Sequence, residues 1–415
     1  MIGTLFSIFL AVLLWLDPHT HGASLGTVTR AIMIVASLSL LFLLPLAYLF
    51  AWVPLQKAEQ NNTPRILDMF QKDRYVHLAT GWIIAFSLAT IVLASDVIYP
   101  SISQKDWFFP AWLILLGISL DSFFALLRRV LSYVNPFSVI KIFTQQAKVS
   151  IANDRDSDLC EAIDALAEVA IKGVQKHSTS ICHAALAEEQ LIIKDFLGAS
   201  KSIAHSGNQD AQAKSFGIKD TVNFTLFYLY QRLDIIYDKA LKNQLEPTCS
   251  LIITILGKVA FDAAKYDVSL ASAPLRFIGK FAKRAQDQGF EETVMTASSV
   301  LLVVAKEMIS EINLSYYEIK DPFLSIINGM EILSKEAFKR DKTMNISLLM
   351  QPFRELRALF AGDKIKNHLD TPLIVQNIDR ILGEYEALFI VMNTMPTIPR
   401  IEDDVEPPKD IIEKA

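Results

Sequence analysis

The chain has 415 residues, of which 52% are hydrophobic, and a mean hydropathy of +0.31. This composition is too apolar for an ordinary soluble protein and predicts segments that reside in lipid. The net charge of -5 leaves no basic surface for a phosphate backbone, so nucleic acid is excluded as an expected partner. Only six Lys or Arg and seven Asp or Glu precede Arg128. The sequence therefore predicts a transmembrane domain over residues 1–130.

Four apolar segments in this domain predict membrane spans, at residues 2–16, 31–53, 78–99 and 107–127. The second segment contains no charged residue and exceeds the roughly 20 residues that a helix needs to cross the hydrocarbon core. The first is short, so a signal peptide or an interfacial segment is the alternative. Because it lacks the basic start of a signal peptide, a retained span is favoured. The lipid bilayer is accordingly the first expected partner.

Basic residues near the spans predict the orientation of the chain. Those on one side are Lys57, Arg65, Lys72 and Arg74 between the second and third spans, and Arg128, Arg129 and Lys141 after the fourth. The loops of the other side hold only Arg30 and Lys105. Because short cytoplasmic loops carry the excess of Lys and Arg, we expect a multi-pass cell-membrane protein with its amino terminus and carboxy-terminal domain in the cytoplasm.

Small residues recur every four positions in the third span, at Gly81, Ala85 and Ala89. This spacing lets helices approach closely in lipid, where packing drives association. The pattern predicts a helix-packing face and favours a homo-oligomer.

Three hydroxyl side chains of the same span, Thr80, Ser87 and Thr90, fall within roughly 80° of one another on a helical wheel. They either line a pore or bond to neighbouring groups within the bundle. The second interpretation is favoured, since hydroxyls in membrane helices commonly bond within the bundle.

Asp121 lies two helical turns before Arg128, roughly 10 Å inside the predicted cytoplasmic boundary. A carboxylate at that depth is costly unless it faces the bundle interior, water or a basic partner. Asp121 is therefore a candidate pore residue; the alternative, which is favoured, is a pair with an Arg128 side chain that reaches toward the interface.

After residue 130, apolar residues recur with helical spacing and no strand alternation is visible, which predicts an all-α cytoplasmic domain over residues 131–394. The predicted helices are 158–176, 178–204, 218–243, 248–266, 273–288, 291–313, 322–340, 347–361 and 371–392. We expect a solenoid-like or bundled array, a surface that more often binds a protein partner than performs chemistry. Residues 395–415 form an acidic, Pro-rich tail, expected to be extended.

Three stretches of the sequence stand out when they are set side by side: Thr63-Pro64-Arg65-Ile66-Leu67 with Phe70 and Asp73; Pro110 to Val130; and Pro136-Phe137 through Asn153-Asp154 to Ala162-Ile163-Asp164. Together they resemble a large bacterial family of predicted four-span membrane proteins without an assigned function. The likeness covers roughly residues 60–170 and implies four spans followed by a helical domain. The chain lacks the Pro-Gly that precedes the Asn-Asp pair in that family, so no role is carried over to Asn153 or Asp154.

Signs of an enzyme, a metal site or a cofactor are weak. Asp154, Asp156 and Asp158 alternate as in a calcium loop, but Leu159 occupies the glycine position, so a helix start is favoured. The spacing of the cysteines and histidines, Cys160, His177, Cys182 and His183, matches no common zinc site. No phosphate-binding loop, nucleophile elbow or His-Glu-x-x-His motif is present. We expect no enzyme activity, metal or cofactor.

Three functions remain open from the sequence. The first is an oligomeric, channel-like protein whose cytoplasmic helical domain regulates or assembles it. The alternative is a membrane-anchored scaffold or signalling module that binds a cytoplasmic protein. A secondary transporter is third, because no inverted repeat or broken-helix pair is visible.

Overall fold

A computed structural model describes Thr4, Ser7 and residues 23–61, 63, 65–94, 108–153, 155–204, 210–341 and 345–394. Of residues 23–29, 201–204, 210–220 and 392–394 it describes the backbone only. The described residues form fourteen α-helices and two short 3-10 turns, and they contain no strand. The predicted all-α class is confirmed. Residues 2–16, apart from Thr4 and Ser7, and the tail at 395–415 lie outside the described residues.

Contacts divide the chain into two compact units, Met1–Ile255 and Leu256–Ala415. The helices of the first unit are α1 Ala23–Asn61, α2 Ile66–Lys72, α3 Arg74–Ala94, α4 Phe108–Val134, α5 Pro136–Ala152, α6 Asp156–Gln175, α7 Thr179–Ala204 and α8 Asp210–Lys242. The division falls within α9, Glu246–Tyr266. The second unit continues with α10 Ser272–Asp287, α11 Glu291–Glu311, α12 Lys320–Arg340, α13 Ile346–Phe360 and α14 Thr371–Thr394. The predicted boundary at residue 130 separates a transmembrane domain from a cytoplasmic domain, whereas the two units are defined by the contacts within each. The predicted boundary therefore stays a prediction.

Three helices match the predicted spans at 31–53, 78–99 and 107–127. They are α1, α3 and α4, and each is long and apolar enough to cross a membrane. α1 continues to Asn61 and α4 to Val134, beyond the predicted span ends, and the residues that follow each apolar run include good helix formers such as Lys57, Glu59 and Arg128. Residues 95–99 of the third span, and Trp107, lie outside the described residues.

The three helices have a packed inner face and an exposed apolar outer face. The inner face joins Met33, Leu40 and Leu44 of α1, Ile83 and Phe86 of α3, and Trp112 and Leu113 of α4. On the outer face, Phe42 is 70% exposed, Leu78 73% and Leu131 66%. Soluble proteins rarely leave so continuous an apolar surface in water, whereas lipid is as apolar as these side chains.

Two further helices, α9 and α11, also have the length and composition of a membrane span. Burial distinguishes α9 from α1, α3 and α4. In its most apolar stretch 61% of residues are buried, compared with 33% or less in those three helices. None of the large apolar side chains of α9 is exposed, so this helix presents no apolar face to lipid.

All nine helices predicted after residue 131 are present, with shifted ends. The largest shift is at α8, which begins at Asp210 rather than at residue 218. α5 has no counterpart among the predicted helices. Its start carries a standard signal, because the Asn135 side chain accepts a hydrogen bond from the Phe137 N–H at 3.0 Å and Pro136 occupies the first turn.

Close backbone contact joins α10 and α12 in the second unit. A Cβ atom added at Gly279 would lie 3.2 Å from the Cα of Gly329. Both glycines are buried, and the absence of side chains brings the two helix backbones together.

We predict that Gly279→Val lowers the free energy of unfolding by about 1–3 kcal/mol, because a side chain there is forced against the α12 backbone. Gly383→Val is the matched control, since Gly383 lies on the exposed side of α14 with open space around it. Thermal unfolding of the purified protein, followed by circular dichroism, measures both. Equal midpoints for the two variants would contradict the close contact.

Candidate functional site

The hydroxyl side chains of the third predicted span take part in contacts within the chain. Thr90 Oγ1 donates to the Phe86 carbonyl at 2.8 Å and accepts from Trp112 Nε1 at 3.1 Å. Thr80 Oγ1 lies 2.8 Å from the Tyr48 hydroxyl on α1. Ser87 is buried, and its hydroxyl has no hydrogen-bond partner among the described residues. A pore-lining role for these three side chains stays a prediction.

The small residues Gly81, Ala85 and Ala89 lie on the exposed side of α3. No described atom comes within 4 Å of a Cβ built at Gly81. This face therefore packs against none of the described helices at Gly81. Its predicted packing against another chain stays a prediction.

Asp121 bonds to the first segment of the chain. Its Oδ2 accepts from the Thr4 backbone N–H at 3.0 Å and also from the Thr4 hydroxyl. Arg128, the partner expected from the sequence, is exposed. Thr4 is thus a partner that spacing within α4 could not reveal, since 117 residues separate the two side chains.

A polar cluster holds α3 and α4 together where they leave the apolar region. Asp73 Oδ2 accepts from Arg129 Nε at 2.7 Å and from the Tyr133 hydroxyl at 2.8 Å. Asp73 Oδ1 accepts from the Tyr75 N–H at 2.9 Å at the start of α3. The Arg129 guanidinium also lies over the Tyr133 ring, 5.3 Å from its centroid.

Burial acts to raise the pKa of Asp73, but the hydrogen bonds from Arg129, Tyr133 and the Tyr75 backbone outweigh it. The pKa of Asp73 therefore lies below its ordinary value. A carboxylate with a lowered pKa stabilises the fold at neutral pH, and that contribution is lost as the pH falls through the lowered value.

The linker between α1 and α2 is held on α6 by a set of polar contacts that we call the linker clamp. Thr63, which is fully buried, donates from Oγ1 to Glu168 Oε2 at 2.7 Å. Arg65 reaches Glu161 Oε2 at 3.2 Å and Asp164 Oδ2 at 3.5 Å. The clamp comprises these five residues. Because Glu161, Asp164 and Glu168 recur at helical spacing, one face of α6 supplies every carboxylate.

Asp164 connects the linker clamp to a second helix. Its Oδ1 pairs with Arg232 Nη2 on α8 at 2.7 Å. Arg232 in turn contacts the Tyr228 hydroxyl at 3.0 Å and lies over the Tyr228 ring. One carboxylate of α6 therefore interacts with two guanidinium groups, that of Arg65 from the linker and that of Arg232 from the helical bundle.

The charges of Arg232 and Asp164 both act on Glu189 of α7, a residue that was not identified from the sequence. It is fully buried, and neither carboxylate oxygen has a hydrogen-bond partner in the described part of the chain. Burial raises the pKa of Glu189 to about 8, while the charge of Arg232 lowers it and that of Asp164 raises it. No periodic pattern marks this glutamate, because it occupies an ordinary core-facing position of α7.

The cysteines and histidines do not converge. Cys182 is buried and burial raises its pKa to about 12, so its thiol is neutral at physiological pH. His183 lies 3.2 Å from the Thr248 hydroxyl, and burial lowers its pKa. Among the described residues, no group of three or more His, Cys, Asp or Glu side chains is placed to hold a metal ion.

Residues from the three stretches that resemble the bacterial family meet in these two clusters. Arg65 of the first stretch reaches Asp164 of the third, and Asp73 of the first binds Arg129 of the second. Comparison with protein-family models, curated proteins and solved structures finds no match. The resemblance therefore stays a prediction. The fold and the site define an all-α protein in which helices suited to lipid lead into a helical bundle and the linker after α1 is clamped onto that bundle.

We predict that Asp73→Ala lowers the free energy of unfolding by about 1–3 kcal/mol, because Arg129 and Tyr133 lose a shared acceptor in a half-buried site. Asp68→Ala is the control, since the exposed Asp68–Lys72 pair on α2 contributes less than about 1 kcal/mol. Thermal unfolding in detergent measures both changes. If the two variants unfold at the same temperature, the Asp73 cluster does not hold α3 to α4.

Proposed function

We propose that this protein is a membrane-embedded signalling module, in which a cytoplasmic helical bundle and the membrane spans control one another through the linker clamp. The spans are α1, α3 and α4 together with the segment at 2–16. The amino terminus and the helical bundle lie in the cytoplasm, as the distribution of Lys and Arg favours. The bilayer is the first partner, and a cytoplasmic protein that binds the helical bundle is the second.

The observation that carries this proposal is the linker clamp. A linker that only ties two spans together needs no specific contacts, and segments of this kind are usually exposed and mobile. Here Thr63 is fully buried, Arg65 pairs with two carboxylates, and Lys176 at the end of α6 donates to the Asn61 carbonyl at 3.3 Å. A movement of α6 is therefore transmitted to the ends of α1 and α3.

The helical bundle also supports the proposal, since it offers a stable body that a partner can move. α6 packs against α5, α7 and α8, and its apolar face is buried. On the outer side of α8, Phe224 is 62% exposed and Phe227 55%. Exposed aromatic groups of this size are frequent at contact sites.

The proposal predicts that a change on α6 alters the linker. Asp164→Ala removes a shared carboxylate from Arg65 and is expected to increase amide hydrogen exchange in residues 61–73 by roughly five- to tenfold. Asp158→Ala is the matched control, because Asp158 lies on the same helix and pairs only locally, with Arg155 at 3.7 Å. Hydrogen exchange of the full-length protein in nanodiscs, read by mass spectrometry, gives both values.

Unchanged exchange in residues 61–73 of Asp164→Ala would contradict coupling through the clamp. An increase spread evenly over the whole first unit would also contradict it, because that pattern reports general destabilisation.

A second candidate function is the oligomeric conduit, and one observation favours it. Gly81, Ala85 and Ala89 lie exposed on α3, where a second chain has access to them. Mass photometry in nanodiscs separates the candidates, since a ring of several chains supports the conduit and a monomer or simple dimer supports the signalling module. For a ring, the conduit predicts that Asp121→Asn alters the measured current.

A further inference from the structure

Glu189 is a buried acid for which the packing of the bundle gives no reason. An alkyl or amide side chain would fill the same volume, whereas a carboxyl group without hydrogen bonds costs stability whenever it is ionised. The side chain is fully buried, and both oxygens lack partners within the described residues. A buried acid of this kind is found where a change of protonation has an effect on its neighbours.

The ionisable groups around Glu189 define what that effect is. On α6 the nearby charge is Asp164, and on α8 it is Arg232. α5 is the third helix that packs against α7. Its Lys148 forms an ion pair with Asp195 of α7, with Nζ and Oδ2 3.8 Å apart.

Other ionisable groups of α6 and α7 in this region are an acid and two thiols. Glu168 accepts a hydrogen bond from the Thr63 hydroxyl, and burial raises the pKa of the Cys160 thiol. Cys182, two turns before Glu189 on α7, is a neutral thiol. Arg232 is the cation whose charge acts on Glu189, and it also pairs with Asp164.

We propose that the protonation state of Glu189 controls the linker clamp. It does so by determining whether the Arg232 guanidinium pairs with Asp164 alone or is drawn toward Glu189. This inference rests on the proposed coupling of the bundle to the spans. It adds that the signal which the bundle receives is a change of pH in the cytoplasm.

The two states follow from electrostatics. When Glu189 is neutral, Arg232 stays on Asp164 and neutralises the carboxylate that Arg65 also needs. When Glu189 loses its proton to solvent, a second carboxylate attracts Arg232 into the bundle interior, where charge interactions are strong. Asp164 then interacts more strongly with Arg65, and the linker clamp tightens. Alkaline conditions thus fix the linker and acidic conditions loosen it.

The pH range follows from the direction of the shift. Burial raises the pKa of Glu189 from its ordinary value to about 8, so the folded protein retains this proton at pH values where the unfolded chain has lost it. Stability from this group is therefore greatest below the ordinary pKa and declines as the pH rises toward 8. The switch itself operates over about pH 7 to 9.

The test is hydrogen exchange of residues 61–73 in the full-length protein in nanodiscs, at about pH 7 and pH 9. Labelling times are scaled to the intrinsic pH dependence of amide exchange. The wild-type chain is expected to gain roughly fivefold protection at the higher pH, and Glu189→Gln, which keeps the shape and removes the charge, is expected to show no gain. Glu188→Gln is the matched control, since it removes a charge from the adjacent, partly exposed position and is expected to keep the gain.

Each outcome decides one part of the proposal. No pH-dependent gain in the wild-type chain, or the same gain in Glu189→Gln, overturns the switch. The variant Asp164→Asn tests the coupling between α6 and the linker separately from the protonation of Glu189. If Asp164→Asn leaves the linker protected at both pH values, the coupling itself is wrong; if it exposes the linker at both, the coupling stands and Glu189 alone is in question.

Discussion

The position of Asp164 constrains the rest of the first unit. Asp164 is a mostly buried carboxylate with two guanidinium neighbours, and a change in the position of either cation alters the charge balance of the site. One cation, Arg65, belongs to the linker that follows α1, a helix suited to lipid, and the other, Arg232, belongs to the helical bundle. The geometry of this single side chain therefore links the lipid-suited helices to the polar helices.

The lipid-suited helices and the helical bundle on either side of that link have different surfaces. α1, α3 and α4 bury a common apolar face and leave large apolar side chains on the outside, as helices in lipid do. α5 to α8 pack apolar side chains into a common core, and their charged side chains stay at least partly exposed, with Glu189 as the exception among the described side chains. The Asp73 cluster lies between these two kinds of surface and joins the start of α3 to the end of α4.

The sequence predicted elements well and long-range polar contacts poorly. Apolar periodicity and Gly or Pro breaks were sufficient to predict nine helices and the positions of three helices that have the length and composition of a membrane span, because these signals report local conformation. Asp164–Arg232 and Asp121–Thr4 join residues far apart in the chain, and no local pattern encodes such pairs. Glu189 was missed for a related reason: a glutamate in an amphipathic helix is normally exposed, and only the packing of three helices shows that this one is buried.

The most direct test of the account is a double-mutant cycle between Arg65 and Asp164, with the free energy of unfolding and the exchange of residues 61–73 as readouts. The account predicts that Arg65→Ala and Asp164→Ala each loosen the linker, and that the double variant is little worse than either single one. Strictly additive effects would contradict it, because they would mean that Arg65 and Asp164 act independently and that this pair does not hold the linker on α6.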